Sequence, residues 1–380
     1  MYSLPGYGSM ISDRGRTDSY AKALEAIIRP SSAVLDIGTG TGMFALLACK
    51  FGARKVYAVE PSDVIEVARE VARINGFADR IEFIQGVSTK IDLPEKVDVI
   101  VGDIRGISPL FQGSVGALID ARERLLAPGG RMIPASDTIW AALVNAPKSY
   151  EESIAPWLDN PYGVDLSPIS KYVLNTYGKV RLTTSSYVAE PQRWIKLDYG
   201  TIDTPNASGR LRWTVTNPGT VHGVAVWFDS ESGEGFGFSN SPASERHIYG
   251  QQFFPFAEAV SLQAGDIVEL KLSADVVRED YVWRWDTTII AGDGSAKAEY
   301  RQSSLAGAIV SPAQLRKRGQ SFVAQLSDDA RVDKFILERM GQSQTLGEIA
   351  RELASAFPRR FGDWQSALAR VADLSAKYAV

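Results

Sequence analysis

Residues 34–42 read VLDIGTGTG, an apolar run that ends in an acidic residue and continues into alternating glycines. The pattern predicts a buried strand that delivers the backbone into a tight turn. Glycine permits both the positive φ angles of such a turn and the close approach of a ligand to the backbone. The stretch therefore predicts a nucleoside-binding turn on an α/β sheet.

The spacing of the glycines indicates the class of nucleoside. Gly38, Gly40 and Gly42 form G-x-G-x-G, with Thr39 inside the turn, whereas nicotinamide dinucleotide sites use G-x-G-x-x-G. Asp36 stands two residues before the first glycine, at the end of the strand, and we expect it to bind the cofactor together with the turn. Both details favour S-adenosylmethionine (SAM), which has no pyrophosphate to place on a helix N-terminus.

A second buried strand is predicted at residues 55–59, and Glu60 follows at its carboxyl end. This acid stands about twenty residues after the glycine turn, where α/β nucleotide sites place a ribose ligand. A carboxylate fits there because it can accept two hydrogen bonds from vicinal hydroxyls. The alternative is a solvated acid at a strand end, and the neighbouring glycine turn favours ribose binding.

The composition excludes several classes of protein. The chain has 380 residues, enough for two or three domains. Its net charge of −4 argues against a nucleic-acid partner, which would select a basic face. No apolar run approaches the ~20 residues that span a bilayer, and no signal peptide is visible, so we expect no membrane partner and a cytoplasmic location. With His222, His247 and the single Cys49, we expect neither a disulfide framework nor a metal site.

Three regions differ in their sequence pattern. In residues 1–140, short apolar strands alternate with helical stretches, which predicts a doubly wound, mainly parallel α/β sheet. In residues 141–302, alternating segments such as RLRWTVT are separated by turns, which predicts an antiparallel barrel or sandwich. In residues 303–380, a 3.6-residue apolar period predicts a helical domain, with a capping box at Thr345.

Several separated segments, in the same order along the chain, resemble the protein arginine methyltransferase family. MISDRGRTDSY is similar to the family's M-L-x-D-x-x-R-x-x-x-Y segment, with Met10, Asp13, Arg16 and Tyr20 on its motif positions. VLDIGTGTG and AVEPS resemble its glycine turn and ribose acid, WLDNPYGVDLSPI its dimerisation arm, and RHIYGQQFF its barrel segment centred on T-H-W. The resemblance covers about residues 4–300 and implies a SAM-binding sheet followed by a β-barrel.

The resemblance also implies roles for individual residues. The N-terminal helix, with Met10, closes over the cofactor, and Arg16 holds its methionine carboxylate, because a guanidinium fork matches two oxygens. Ser88 occupies a position that contacts adenine. His247 occupies the position of a histidine that pairs with an aspartate, and Asp13 is the candidate partner. A structural histidine is the alternative, since Ile and Arg replace the flanking residues of the family motif.

The loop after the fourth strand departs from the family's pattern. In the family, two glutamates on this loop clamp the substrate guanidinium. The matching stretch VGDIRGISPLFQ places Asp103 at the first position, Gln112 at the second and Arg105 between them. Arginine as the acceptor is therefore in doubt. We expect Asp103 to border the cofactor and to orient or deprotonate the acceptor, while Arg105 is either a contact for a substrate anion or a surface charge.

Two segments indicate partners. The arm near residues 154–180 implies a homodimer. The pattern TLGEIARELASAF with DWQSALARVADL resembles the small peptide-chaperone protein of pyrroloquinoline-quinone biosynthesis, whose relatives recognise leader peptides by adding a strand to a sheet edge. A simple helical cap on the barrel is the alternative.

Together these features predict a SAM-dependent methyltransferase that modifies a peptide or protein side chain, with a ribosomally made precursor peptide as one candidate. Two alternatives stay open. One is N- or O-methylation of an anionic small molecule held by Arg105. The other is a catalytically weak homologue whose tail tethers a peptide.

Overall fold

The computed structural model describes residues 3–159 and 161–379. The chain divides into two compact units, Met1–Ala308 and Ile309–Val380. The larger unit contains a parallel sheet followed by two antiparallel sheets. The smaller unit is helical, so the predicted fold class is confirmed.

The parallel sheet is built from the apolar segments that the sequence indicated. Its strands are β1 (Ala33–Ile37), β2 (Lys55–Glu60), β3 (Ile81–Gln85), β4 (Val97–Gly102) and β5 (Leu126–Ile133), in the order β3-β2-β1-β4-β5. The helices of this half are α1 (Leu4–Ser12), α2 (Arg14–Ile27), α3 (Met43–Lys50), α4 (Ile65–Ile74) and α5 (Ser114–Arg124). Every residue of β1 is buried, because helices cover both faces of a central parallel strand.

The strand order sets the position of the site. Strand β1 pairs with β2 on one side and with β4 on the other, so the chain reverses its direction of winding at β1. Ligands of open α/β sheets bind outside the carboxyl ends of the strands at this point. The glycine turn after β1, Glu60 at the end of β2 and Asp103 after β4 all lie at this edge.

The antiparallel part begins directly after β5. One sheet has the order β7-β12-β10-β6-β8 with β11 beside β10, and the other has the order β15-β14-β13-β9. These strands are β6 (Ser136–Val144), β7 (Gly178–Val180), β8 (Gln192–Asp198), β9 (Ala207–Thr214), β10 (Gly219–Gly233), β11 (Phe236–Ser239), β12 (Gln251–Leu262), β13 (Ile267–Val277), β14 (Asp280–Ile290) and β15 (Ala296–Ser303). Helix α6 (Pro147–Leu158) ends inside the predicted arm near residues 154–180, and α7 (Ser170–Val173) lies within it. The two antiparallel sheets and the parallel sheet share one hydrophobic core.

The smaller unit contains α8 (Pro312–Arg316), α9 (Asp328–Met340), α10 (Leu346–Ala356) and α11 (Trp364–Tyr378). The capping box predicted at Thr345 is confirmed. The Thr345 hydroxyl accepts from the Glu348 N–H, and the Glu348 carboxylate accepts from the Thr345 N–H. Ile336, Ile349 and Leu353 are fully buried in a core of its own. Within its described residues this unit has no strand, so it offers no sheet edge for the strand addition that the resemblance implied.

Across the described residues, no helix is long and apolar enough to cross a membrane. The same residues contain no group of three or more His, Cys, Asp and Glu side chains that could hold a metal ion.

Candidate active site

A cavity of about 610 Å³ opens at the carboxyl edge of the parallel sheet. Its volume falls within the roughly 300–1,000 Å³ that is typical of small-molecule sites. The residues that line it come from α1, α2, the glycine turn, α3, the end of β2 and the loop after β4. Among them are Met10, Arg16, Gly38, Thr39, Glu60, Asp103, Arg105 and Gln112. A second cavity of about 620 Å³ contains none of the predicted site residues.

The glycine turn has the backbone that its sequence predicts. Gly38, Gly40 and Gly42 have φ angles of +71°, +54° and +88°, a region that L side chains rarely adopt. The N–H groups of Gly38 and Thr39 donate to the Val59 carbonyl at 2.8 and 3.0 Å, which ties the turn to β2. A Cβ at Gly38 would lie 2.5 Å from the Ile104 side chain. The turn therefore requires glycine for its conformation and for close packing.

Asp36 lies beneath the turn and is not among the residues that line the cavity. Its carboxyl accepts from the Thr39 hydroxyl at 2.6 Å and from the Ala45 N–H at 3.0 Å, and 1 % of the residue is exposed. Burial raises the pKa of Asp36 to about 7 against the lowering effect of these two donors. The contacts make Asp36 a brace between the turn and α3 rather than a direct ligand contact.

Glu60 lines the cavity with its carboxylate already oriented. One oxygen accepts from the Gly40 N–H at 3.1 Å, and the other accepts from the Ser62 N–H at 3.1 Å and hydroxyl at 2.6 Å. These contacts hold the acid beside the glycine turn. A carboxylate offers about four lone-pair positions, so Glu60 retains capacity for a hydroxyl donor.

Arg16 reaches the cavity from the first turn of α2. Helix α2 begins after Asp13, whose side chain accepts the Arg16 N–H at 3.3 Å. The Arg16 guanidinium pairs with Asp103 and donates to the Tyr249 hydroxyl at 3.0 Å and to the Met10 carbonyl at 3.1 Å. Burial opposes its charge, but the attraction of Asp103 keeps the pKa of Arg16 above its usual range.

Asp103 is buried, and basic and hydroxyl side chains surround it. It pairs with Arg16 and with Arg105 Nε at 3.0 Å, and it accepts from the hydroxyls of Tyr249 at 2.8 Å and Tyr20 at 3.3 Å. Burial alone would raise the pKa of Asp103, but the two guanidinium charges hold that pKa below its ordinary value. The carboxylate is therefore ionised and fully engaged by this chain's own residues.

From the sequence, Arg105 was either a contact for a substrate anion or a surface charge, and in the structure its guanidinium instead binds residues of this chain. Its Nη1 atom donates to Asp137 at 3.1 Å and to the Ser230 hydroxyl at 3.2 Å, while Nη2 donates to the Tyr20 hydroxyl at 3.1 Å. Only 4 % of its side chain is exposed. Arg105 thus joins the loop after β4 to the barrel strands β6 and β10, so it is also not the surface charge that was the alternative.

Gln112 and Ser88 differ in their position relative to the cavity. Gln112 is exposed at the rim of the cavity, with a left-handed backbone and its N–H donating to Asp280 at 3.1 Å. Ser88 is buried, but the residues that line the cavity do not include it, and its carbonyl accepts from Arg124 at 3.0 Å. The adenine contact implied for Ser88 therefore lacks direct support from this cavity.

His247 meets Asp13, the partner suggested by the sequence. Its Nδ1 lies 2.7 Å from Asp13 Oδ1, and the Ile248 N–H donates to the other oxygen at 2.8 Å. Gly15 leaves room for this contact, because a Cβ there would lie 2.4 Å from the imidazole. The pair fastens the start of α2 to the barrel and does not line the cavity. A direct catalytic role for His247 stays a prediction.

The sequence reasoning missed Tyr249, Asp137 and Tyr199 as members of the site. Tyr249 was visible in the segment RHIYGQQFF, but nothing in the sequence indicated that its hydroxyl contacts Asp103. Asp137 is a single acid in the apolar strand β6, and the Tyr199 hydroxyl donates to it at 2.5 Å. An isolated acid at a buried strand position was the only available signal.

Two family models match adjoining parts of the chain. The model described as ribosomal protein L11 methyltransferase matches residues 15–136, and the arginine methyltransferase oligomerization subdomain matches residues 135–288. These ranges correspond to the parallel sheet and to most of the antiparallel strands.

Curated relatives of this chain are named arginine methyltransferases. The chain is 32% identical over 272 residues to protein arginine N-methyltransferase 1 of Schizosaccharomyces pombe, covering 68% of this chain and 78% of that protein. It is 30% identical over 271 residues to the arginine N(omega)-methyltransferase of Streptomyces achromogenes subsp. streptozoticus, covering 70% and 74%. It is 31% identical to probable protein arginine N-methyltransferase 6 of Arabidopsis thaliana, covering 62% of this chain and 55% of that protein. The chain thus spans between about half and three quarters of these relatives.

Solved structures share the fold. Protein arginine methyltransferase 10 of Arabidopsis thaliana superposes with a TM-score of 0.69 at 25% identity, covering 79% of this chain and 97% of that one. The Trypanosoma brucei PRMT1 enzyme-prozyme heterotetrameric complex with AdoHcy has a TM-score of 0.70 at 24% identity, covering 78% and 96%. On the sequence match to the S. pombe enzyme, with the motifs and fold described above, this chain belongs to the protein arginine methyltransferase family.

Proposed function

We propose that this chain is a SAM-dependent methyltransferase that acts in the 610 Å³ cavity. The observation that carries the proposal is that the glycine turn, the oriented carboxylate of Glu60 and the Arg16–Asp103 pair all border one space. Bound SAM supplies an activated methyl group on a sulfonium. The protein's own task is to place the acceptor in line with that methyl and to exclude water.

The residues present fit this donor. Glu60 faces the cavity where it can accept from ribose hydroxyls, and Arg16 provides a buried guanidinium for a carboxylate. Met10 and Phe44 add apolar lining. Gly38 and Thr39 of the glycine turn line the cavity, and a side chain at Gly40 would not fit because its Cβ would lie 2.5 Å from the Tyr7 ring.

Isothermal titration with SAM, S-adenosylhomocysteine and NADH tests the donor assignment. We expect both adenosyl ligands to bind and NADH not to bind. Glu60→Gln should weaken adenosyl binding at least tenfold, whereas Glu82→Gln, which changes an exposed acid paired with Lys55, should leave it unchanged. Binding of NADH without either adenosyl ligand would refute the proposal.

We propose a peptide or protein as the source of the acceptor, as in the relatives that are named protein arginine N-methyltransferases. The peptide-recognition role of residues 303–380 stays a prediction. Its test compares methyl incorporation, by mass spectrometry, into a candidate precursor peptide by the full chain and by a chain ending at residue 308. Equal incorporation by both would contradict a role for the smaller unit.

We also propose a homodimer formed through the arm. Support comes from the match to the oligomerization subdomain and from exposed apolar side chains in the arm, among them Leu158, Val164 and Tyr172. Analytical ultracentrifugation should find a dimer that Val164→Asp dissociates. Val277→Asp, at an exposed apolar position on β13, is the matched control and should leave the dimer intact.

A further inference from the structure

Resting on the proposed methyl transfer to a peptide, we infer that three cations on the barrel bind an acidic segment of the acceptor peptide, a few residues away from the methylated side chain. The three are Lys179 in β7, Arg181 directly after that strand, and Arg246 in the segment between β11 and β12, and we call them the basic cluster. All three residues are exposed. They lie outside the cavity that holds the candidate active site.

Backbone pairing holds the three cations close together. Strand β7 pairs with the start of β12. The Lys179 ammonium donates to the Ile248 carbonyl. Arg181 Nη1 donates to the His247 carbonyl at 2.8 Å, so both cations lie along the segment that carries Arg246. Burial, and then the charges of Arg181 and Arg246, lower the pKa of Lys179, which agrees with three neighbouring positive charges.

The basic cluster has no partner of opposite charge within the part of the chain that the structure describes. No carboxylate there forms an ion pair with any of the three cations, and Arg246 makes no hydrogen bond. Asp13 attracts Arg181, but its two oxygens already contact His247 Nδ1 at 2.7 Å and a backbone N–H at 2.8 Å. Glu245 precedes Arg246 and is exposed. Like charges without a counter-charge repel one another, so an anion that binds here relieves this repulsion.

Two cavities adjoin the basic cluster. One, of about 290 Å³, is lined by Arg181 and Arg246 and by hydroxyl-bearing residues that include Thr183 and Ser244. The other, of about 470 Å³, is lined by Lys179 and Arg181, so Arg181 borders both. Guanidinium and ammonium groups suit a carboxylate, because charge-assisted hydrogen bonds are roughly twice as strong as those between neutral groups.

A short segment connects the basic cluster with the candidate active site. Arg246 is followed by His247, which contacts Asp13 at the start of α2. Two residues further along, the Tyr249 hydroxyl donates to Asp103 at 2.8 Å. The Cα atoms of Arg246 and Tyr249 are at most about 11 Å apart, since an extended chain spans at most ~3.6 Å per residue. With the tyrosine side chain added, an extended peptide covers the distance from Asp103 to the cluster with about three to six residues.

A few protein carboxylates fit the basic cluster better than a nucleic acid does. A nucleic acid needs many phosphate contacts across a basic face, and this chain carries a net charge of −4. The relatives that are named protein arginine N-methyltransferases agree with a polypeptide acceptor. Because the cluster lies away from the reacting atoms, it contributes to the affinity for the acceptor and not to the transfer step.

Fluorescence anisotropy tests this preference with two labelled peptides. Both have one central arginine, and they carry either glutamates or glutamines at the fourth and fifth positions on each side of it. With S-adenosylhomocysteine present, the full chain should bind the glutamate peptide at least tenfold more tightly, and added salt should remove the difference. Arg246→Glu reverses one charge without breaking a hydrogen bond of the described residues, and it should reduce the difference to below threefold.

Arg210→Glu is the matched control. It makes the same reversal at an exposed arginine of the other antiparallel sheet, where the described residues form no ion pair with it. It should leave the tenfold preference unchanged. Equal affinities of the wild type for the two peptides, or binding of neither, would overturn the inference, as would an Arg246→Glu variant that behaves like the control.

Two other occupants of the basic cluster are outcomes of the same experiment. Tighter binding of an oligothymidylate of equal charge would assign the cluster to a nucleic acid. Dissociation of the dimer by Arg246→Glu, seen by analytical ultracentrifugation, would assign it to a second copy of this chain. Either result would overturn the inference.

Methyl transfer from SAM connects the basic cluster with the acceptor. The wild type should have an at least fivefold lower KM for the glutamate peptide and a similar kcat, because the contact lies away from the reacting atoms. Equal KM values for the two peptides would overturn the inference that the acidic segment belongs to the acceptor. Failure of S-adenosylhomocysteine to bind would instead refute the proposed function, and anisotropy without that ligand then decides on the basic cluster.

Discussion

The buried ion pair between Arg105 and Asp137 allows a quantitative prediction. Asp137 is 0 % exposed, and its carboxylate accepts from Arg105 Nη1 at 3.1 Å and from the Tyr199 hydroxyl at 2.5 Å. Asp137→Asn removes the charge while keeping an oxygen for the tyrosine. The variant leaves Arg105 with one carboxylate, Asp103, where the wild type has two.

The expected loss in the free energy of unfolding depends on which partners Arg105 and Tyr199 keep in the variant. Removing one partner of a buried ion pair typically costs about 3–5 kcal/mol. Because Arg105 keeps Asp103 and Tyr199 keeps an acceptor, we expect a loss at the lower end, about 3 kcal/mol in the free energy of unfolding. This loss concerns the larger unit, where the loop after β4 is joined to β6 through the pair.

Urea denaturation followed by tryptophan fluorescence measures this loss. All tryptophans except Trp364 lie in the larger unit, so the signal reports mainly on that unit. The matched control is Glu269→Gln, the same change in the exposed pair of Glu269 with Arg212 at 3.1 Å on the barrel surface. Exposed pairs contribute little, so the control should lose less than ~1 kcal/mol.

A double-mutant cycle isolates the pair itself. Arg105→Met combined with Asp137→Asn should cost less than the sum of the two single changes by at least ~2 kcal/mol. Arg105→Met alone takes from Asp137 its cation, and Asp137→Asn alone leaves Arg105 with one carboxylate instead of two, whereas the double variant removes both charges of the pair. Additivity within about 0.5 kcal/mol would mean that the two residues do not interact energetically. A cost for Asp137→Asn equal to that of the surface control would refute the reasoning from burial.

Three further predictions concern other parts of the chain. The pKa of Asp36 is raised by burial to about 7, above the unfolded value of 3.8, so its stabilising effect is complete below pH 3.8 and is lost as the pH rises towards 7. The loss is at most about 4 kcal/mol. Urea titrations at pH 5 to 8 should therefore find that the free energy of unfolding depends less on pH in Asp36→Asn than in the wild type. An identical pH dependence in the two proteins would contradict the raised pKa. Gly40→Ala should weaken S-adenosylhomocysteine binding at least tenfold, as measured by calorimetry. The control is Gly76→Ala, which is also at positive φ but has open space around it and should not weaken binding. An equal loss of affinity in both variants would mean that backbone strain alone causes it. Leu353→Ala should destabilise the smaller unit by about 2–5 kcal/mol, because it creates a cavity in that unit's core. The helical signal of the smaller unit should then be lost at a lower denaturation midpoint. Ligand binding, the control, should be unchanged.

The match between sequence and structure is best where a local backbone requirement decides the residue. The turn at Gly38, Gly40 and Gly42 needs positive φ angles, and the sequence supplies glycine at each position. The capping box at Thr345 likewise depends on residues within one helical turn. Strand ends are predictable for the same reason, since a short apolar run followed by an acid identifies the edge where Glu60 and Asp103 lie.

The environment of each acid was less predictable. Asp36 and Glu60 both stand at strand ends, yet Asp36 lies beneath the glycine turn and Glu60 lines the cavity. The sequence placed both in direct contact with the cofactor. Which side of a strand end faces the ligand depends on how the following turn folds back, and the hydrogen bonds from Thr39 and Ala45 show that this turn wraps around Asp36.

By itself the sequence determined the order of the sheets, the glycine turn and the acids at the strand ends, because periodicity and glycine spacing act over a few residues. Only the tertiary structure decided that Arg105 pairs with Asp137 and that Tyr249 donates to Asp103 from 146 positions further along the chain. Such contacts depend on which strands become neighbours and on which side chains are sealed from water together. In that low-dielectric interior every charge must find a partner, so a basic residue that looked available in the sequence became part of a closed, neutral network.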